Sequence, residues 1–359
     1  MEEFSETQSF LSKEQEIEIW ALFLGAKKRR EGEVREMNKK LVILEIVPLV
    51  FLLTIAFVPI DKASGSDTSF TVVWITDTQN LSQYSPADYD TACTWIVNNA
   101  AALNLKAVIH TGDIVNTDTD TSQWDNAAHS MGLLLSNNIT YCWCAGNHET
   151  FVPQSYPAFN LNTMRAKPYW VSDYNGGIDT AINFNFSGQN FLVIDIEYWA
   201  DNSVLQWANT LLASHPSSSV IIGTHAYLDP SSGYDSWAAN FKATVLDTHA
   251  NVFLTLNGHY HPAGISTGRT RVGNRDELYF DRQDLGAATI RLFTFDTMSK
   301  TIAVKTYDTV LSSFITDSDN QFTLTPSVAI PEFASWIILP FFIMAATFVV
   351  SVFGKKRNY

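Results

Sequence analysis

The chain has 359 residues, 46% hydrophobic and 17% charged, with a formal net charge of −14. That length holds one large domain or two ordinary ones, and an acidic chain lacks the basic stripe that a nucleic-acid polymer requires. Three cysteines cannot all pair with one another, and Cys142 and Cys144, two residues apart on one strand face, suit core packing better than a bridge, so no disulfide framework is read.

Residues 1–40 are polar and charged, and Met37 offers an alternative start. From Met37 a short basic run leads into the apolar segment 41–60, the layout of a signal peptide or signal anchor. A second apolar run, Phe333–Phe353, is long enough to span a bilayer and is followed by Lys355-Lys356-Arg357. Both basic flanks orient the intervening domain, 61–329, outside the cytoplasm, with 330–359 as a membrane anchor. The net negative charge sits in this central part, as expected of an exported domain or one that gathers cations.

Within it, strand-like and helix-like segments alternate. Strands are expected at Phe70–Thr76, Ala107–His110, Ile139–Cys144, Phe191–Ile196, Val220–Gly223 and Val252–Leu256. Helical patterns cover Asp88–Leu103, Thr121–Ser136, Asn202–Ala213 and Asp235–Leu246, and Glu277–Thr309 reads as strand-rich and hairpin-like. The alternation indicates an α/β domain with largely buried central strands.

Polar, metal-type residues follow those strands. Asp77-Thr78-Gln79 comes after the first, and Gly112-Asp113-Ile114-Val115-Asn116 after the second, with His110 just inside it. Gly146-Asn147-His148-Glu149 comes after the third, then His225, then Gly258-His259-Tyr260-His261. Each stretch alone is compatible with a turn, a cap or a satisfied core histidine. Together they bring carboxylates, amides and imidazoles from five loops to the carboxyl ends of the strands, where ligands bind in open α/β sheets.

The ordered set Asp-x-Gln, Gly-Asp-x-x-Asn, Gly-Asn-His-Glu, His and Gly-His-x-His resembles the calcineurin-like metallophosphoesterase superfamily, over roughly Phe70 to His261. The resemblance implies a four-layer α/β/β/α sandwich with a dinuclear centre of two divalent ions (Mn, Fe or Zn) at the sheet edge. It implies that Asp113 bridges the ions, that Asp77, Gln79 and His261 complete one site, and that Asn147, His225 and His259 complete the other. His148 would bind no metal and would protonate the leaving group of a small phosphoester attacked by a bridging hydroxide. Gln79 departs from the usual His of the family and belongs to an Asp-x-Gln branch; a Gln oxygen is the weaker donor. Asn116 and Glu149 are candidates to orient the ligands from behind. Arg269 and Arg271 are candidates for a substrate anion, against the alternative of a solvated loop. The tail from Ile330-Pro331-Glu332-Phe333 is similar to the Pro-Glu-Phe sorting tails of exported archaeal proteins. The expected function is therefore a surface-anchored, metal-dependent phosphomonoesterase of nucleotidase-like type. The rivals are a phosphodiesterase with the same centre and a non-catalytic surface binding protein that keeps the fold.

Overall fold

The computed structural model describes residues 68–262, 267–285 and 288–326. The proposed N-terminal segment 1–40, the apolar stretch 41–60 and the tail 330–359 lie outside the described residues. Contacts divide the chain between Ser66 and Asp67, and all described residues belong to the second unit.

The strands are β1 (Ser69–Ile75), β2 (Leu105–His110), β3 (Tyr141–Trp143), β4 (Trp170–Tyr174), β5 (Asp179–Phe186), β6 (Gln189–Ile196), β7 (Ser219–Thr224) and β8 (Val252–Asn257), followed by β9 (Thr267–Val272), β10 (Arg275–Phe280), β11 (Thr289–Asp296), β12 (Thr301–Asp308), β13 (Ser313–Ile315) and β14 (Gln321–Leu324). The helices are α1 (Gln79–Tyr84), α2 (Pro86–Asn99), α3 (Thr121–Ser136), α4 (Leu161–Arg165), α5 (Asn202–Ser214) and α6 (Ser236–Thr244). The first sheet runs β13-β12-β11-β1-β2-β3, with β14 also on β12; the second runs β4-β5-β6-β7-β8-β10-β9. β1, β2 and β3 are parallel, as are β6, β7, β8 and β10.

The period of two decides the layering. Phe70, Val72 and Trp74 of β1 enter an apolar cluster with Phe191 and Val193 of β6 and Leu254 and Leu256 of β8, so the two sheets pack face to face. The alternate residues Val73 and Ile75 turn outward onto Tyr89, Cys93 and Ile96 of α2 and Trp124, Ala127 and Met131 of α3. On the second sheet Leu192, Ile194 and Ile222 meet Val204, Leu205 and Ala208 of α5 and Phe241 of α6. Helices therefore cover both outer faces. Carboxylates cap α3, α5 and α6: Asp120 accepts from Ser122 N–H, Asp201 from Ser203 and Val204 N–H, and Asp235 from Ala238 N–H. Cys93, Cys142 and Cys144 are free and buried. Among the described residues no helix is long and apolar enough to cross a membrane.

One carboxylate sits in the inter-sheet core near the carboxyl end of β6. Asp195 of β6 is fully buried beside the Cys142 thiol, and neither of its oxygens accepts a hydrogen bond from an N–H or O–H group. Burial pushes its pKa up to about 7. The folded state thus holds this proton more tightly than the unfolded chain, and stability falls as pH rises from about 4 towards 7, then levels off. Asp195→Asn removes the charge but buries an amide in the same place, which itself costs about 1–3 kcal/mol. Relative to the wild type, the variant is expected to gain about 2 kcal/mol between pH 5 and pH 8. Urea unfolding at the two pH values reads this, and an unchanged difference would place the Asp195 proton elsewhere.

Candidate metal centre

The parallel strands of both sheets end on one edge, and the polar residues read from the sequence follow them. Asp77 lies just beyond β1, Asp113 beyond β2, Asn147 and His148 beyond β3, His225 beyond β7 and His259 beyond β8. Three of these residues hold left-handed backbone: Asp77 at φ 52°, Asp113 at 53° and His259 at 75°. Such conformations cost a non-glycine residue about 1 kcal/mol or more and cluster at functional sites. Two glycines make room for the carboxylates. A Cβ on Gly146 would fall 2.0 Å from Asp113 Oδ1, and one on Gly258 would fall 1.9 Å from Asp77 Oδ2.

Asp77, Asp113 and His225 are buried, and one ligand atom from each lies within 4.8 Å of the others. His225 Nδ1 donates to the Thr111 carbonyl at 3.0 Å, which fixes the ring and turns Nε2 into the site. That Nε2 lies 3.2 Å from Asp113 Oδ1, 2.9 Å from Asn147 Oδ1 and 3.2 Å from His259 Nδ1. Four of the expected donors thus converge on one point. The backbone N–H of His259 donates to Asp77 Oδ1 at 3.0 Å, and that of His148 donates to Asp113 Oδ1 at 3.3 Å.

The electrostatics fit a cation. Burial raises the Asp77 pKa well above the usual carboxylate range, and the neighbouring Asp281 and Asp113 raise it further. Burial works against a charge on His225, yet Asp113 and Asp77 together push its pKa up to about 10. Burial and the charge of His225 press His259 down to about 4. The site thus gathers a proton on His225 where a divalent ion would bring its charge. Oxygen and nitrogen donors of this mix suit Mn, Fe or Zn.

The remaining residues fall in distinct places. Gln79, buried at the start of α1, donates from Nε2 to Asp113 Oδ2 at 2.9 Å and to Gln283 Oε1 at 2.6 Å, leaving its Oε1 without a partner. His261 is half-exposed, with Nδ1 2.7 Å from Asp284 Oδ2. His148 is one-third exposed; its Nδ1 donates to the Asn116 carbonyl at 2.7 Å and its Nε2 stands 3.7 Å from Asp113 Oδ2. Asn116 thus orients His148 through its main chain, while its side chain donates to Gln83. Glu149 accepts from Val115 N–H at 2.9 Å and Gly146 N–H at 2.7 Å, tying the second loop to the third; burial and Asp113 push its pKa up to about 8. His110 is a core residue: Gly112 N–H donates to its Nδ1, so its Nε2–H donates to Thr78 Oγ1, and burial lowers its pKa to about 3. Arg269 stacks over Phe322 at 4.0 Å, and Arg271 pairs with Asp276 at 3.0 Å on the far stretch of β9.

The sequence reading passed over several residues. Asp281 and Gln283 follow β10, and Asp281 accepts from the Gln283 N–H at 2.9 Å and Nε2 at 3.0 Å, bracing the contact to Gln79. A cavity of about 320 Å³ lies against Asp77, with Gln283 in its wall. Tyr198 follows β6, with its ring 5.0 Å from that of His259. No short motif marks these positions; only their place at the ends of parallel strands does.

Comparison with known proteins agrees with this geometry. Residues 70–263 match the calcineurin-like phosphoesterase family. "Uncharacterized protein YvnB" of Bacillus subtilis (strain 168) is 28% identical over 262 residues, covering 69% of this chain and 20% of that protein, so the chain spans about a fifth of that relative's length. In structure, "GAP50 the anchor in the inner membrane complex of Plasmodium" is similar at a TM-score of 0.50 and 12% identity, covering 77% of this chain and 94% of that one. A cold-active protein-tyrosine phosphatase of a psychrophile, Shewanella sp., gives a TM-score of 0.33 at 15% identity, over 71% of this chain and 80% of the other. With more than half its length matched, the chain belongs to the calcineurin-like phosphoesterase family.

Proposed function

We propose that the protein is a dinuclear phosphomonoesterase of nucleotidase-like type, anchored on the cell surface. The observation that carries the catalytic part is the convergence of Asp77, Asp113 and His225, with His148 beside Asp113 and held by the Asn116 carbonyl. On this reading Asp113 would be shared, with His225, Asn147 and His259 holding one ion and Asp77, Gln79 and His261 the other. Divalent cations bound there supply Lewis acidity towards the phosphoryl oxygens. His148, whose Nε2 is free of the Asn116 contact, delivers a proton to the departing alkoxide oxygen. Glu149 keeps the loops of Asp113 and Asn147 at fixed separation. For Gln79, coordination needs its unpartnered carbonyl oxygen, while its Nε2 remains with Gln283.

Turnover of p-nitrophenyl phosphate and of its bis ester by the purified chain, with Mn²⁺, Zn²⁺ or chelator, tests this. Metal-dependent hydrolysis of the monoester in preference is expected. Preference for the bis ester would make the protein a phosphodiesterase, and no turnover of either would end the hydrolytic reading for simple esters. The anchored location is supported by the apolar segments 41–60 and Phe333–Phe353 with their basic flanks. Protease added outside intact cells is expected to digest the domain; a protected domain would reverse the orientation.

A further inference from the structure

β6 ends at Ile196, and the chain continues through Glu197, Tyr198 and Trp199 along the same edge as the metal-site loops. The Tyr198 N–H donates to the Ala145 carbonyl at 3.2 Å, which ties this turn to the loop of Asn147 and His148. The Tyr198 ring packs 5.0 Å from His259 and 5.9 Å from His225. Trp199 stacks on Tyr198 at 4.7 Å with 18° between the rings. The two rings form a shelf that begins at the metal donors and runs outward.

Three features set Trp199 apart from a packing residue. It is 53% exposed, so its ring fills no core. Its backbone sits at φ 45°, left-handed and strained for so bulky a residue. Its indole is nevertheless fixed, because Nε1 donates to Asp235 Oδ2 at 3.0 Å. Asp235 is itself held by capping α6 through its other oxygen, so the ring's anchor is a rigid one. An open aromatic face held in place against strain, next to a phosphoryl site, is what a stacking platform requires.

Resting on the phosphoesterase reading, we propose that Tyr198 and Trp199 stack a planar ring in the organic part of the ester. The preferred substrates are then nucleoside monophosphates or aryl phosphates over esters of non-planar alcohols.

The test uses the full chain loaded with Mn²⁺ and three monoesters: adenosine 5′-monophosphate, p-nitrophenyl phosphate and β-glycerophosphate. Trp199→Ala is expected to raise KM for the adenosine ester about tenfold, in line with the worth of one stacked base, with kcat held and β-glycerophosphate unaffected. Trp199→Phe, which keeps a ring, should restore most of the loss. A parallel rise for p-nitrophenyl phosphate means that any planar ring is read; a rise for the adenosine ester alone assigns the shelf to the base. Equal effects on all three esters, or no effect on either ring-bearing ester, would overturn the platform. Calorimetric binding of adenosine 5′-monophosphate and β-glycerophosphate to wild type and variant gives the same comparison without turnover. A wild type that binds but hydrolyses none of the three therefore refutes the phosphatase reading while still deciding the platform.

Discussion

Asp113→Asn is expected to strip the protein of its metal and its activity together. Asn tolerates left-handed backbone, so the variant keeps the φ 53° conformation that Asp113 adopts and the close approach to Gly146. What it removes is the charge that faces His225 at 3.2 Å and His148 at 3.7 Å. In the metal-free protein that charge is the main partner of the buried, protonated His225, which in turn holds the Asp113 carboxyl below its usual range, so its loss leaves the His225 cation poorly compensated. Metal-free thermal stability at neutral pH should therefore fall, less Asp77's relief from a neighbouring carboxylate. The wild type, at Mn²⁺ a hundredfold above its dissociation constant, gains about 2.7 kcal/mol from binding the folded state only. The variant should show no such gain. Melting curves with and without Mn²⁺, alongside metal content, read both effects, and a variant that retained wild-type metal content would remove Asp113 from the centre.

His148→Ala should separate metal from activity, keeping the metal while kcat falls about a hundredfold or more. Its Nδ1 is committed to the Asn116 carbonyl and its Nε2 faces a third-exposed opening, which suits proton delivery. The deficit should be larger for β-glycerophosphate, whose alkoxide is a poor leaving group, than for p-nitrophenyl phosphate, which leaves without a proton. A uniform loss across both esters would argue against an acid. Release of metal would make His148 a ligand.

Much of this arrangement is legible from the sequence because the donors sit in short motifs immediately after strands of recognisable pattern. Thr121–Ser136 is read as a helix and folds as one over the same residues, capped by Asp120. The β4–β5 hairpin escapes notice because Trp170–Tyr174 is half-buried throughout and shows no alternation. Asp281, Gln283, Tyr198 and Trp199 escape for a different reason. Their relevance arises only when β10 pairs with β8, and β6 with β7, which are non-local events. His261 shows the limit of spacing: two residues from His259, it would share a face on a strand, but β8 ends at Asn257 and His259 adopts φ 75°, so the period of two no longer applies. Arg269 and Arg271 look available in a linear chain, yet the antiparallel pairing of β9 carries them away from the edge where Asp281 lies. His110 sits beside a site motif in sequence and turns into the core instead.

The donors are shared between the sheets, with Asp77 and Asp113 on one and His225 and His259 on the other. A cation held by this set is a clasp across the inter-sheet seam, and it has no binding place until the seam has closed. If the sheets close after the folding barrier, Mn²⁺ leaves the refolding rate alone and acts on the unfolding rate, since it stabilises a contact missing from the transition state. Metal would then govern how long the folded molecule lasts, and chelation would shorten its lifetime before it altered its shape.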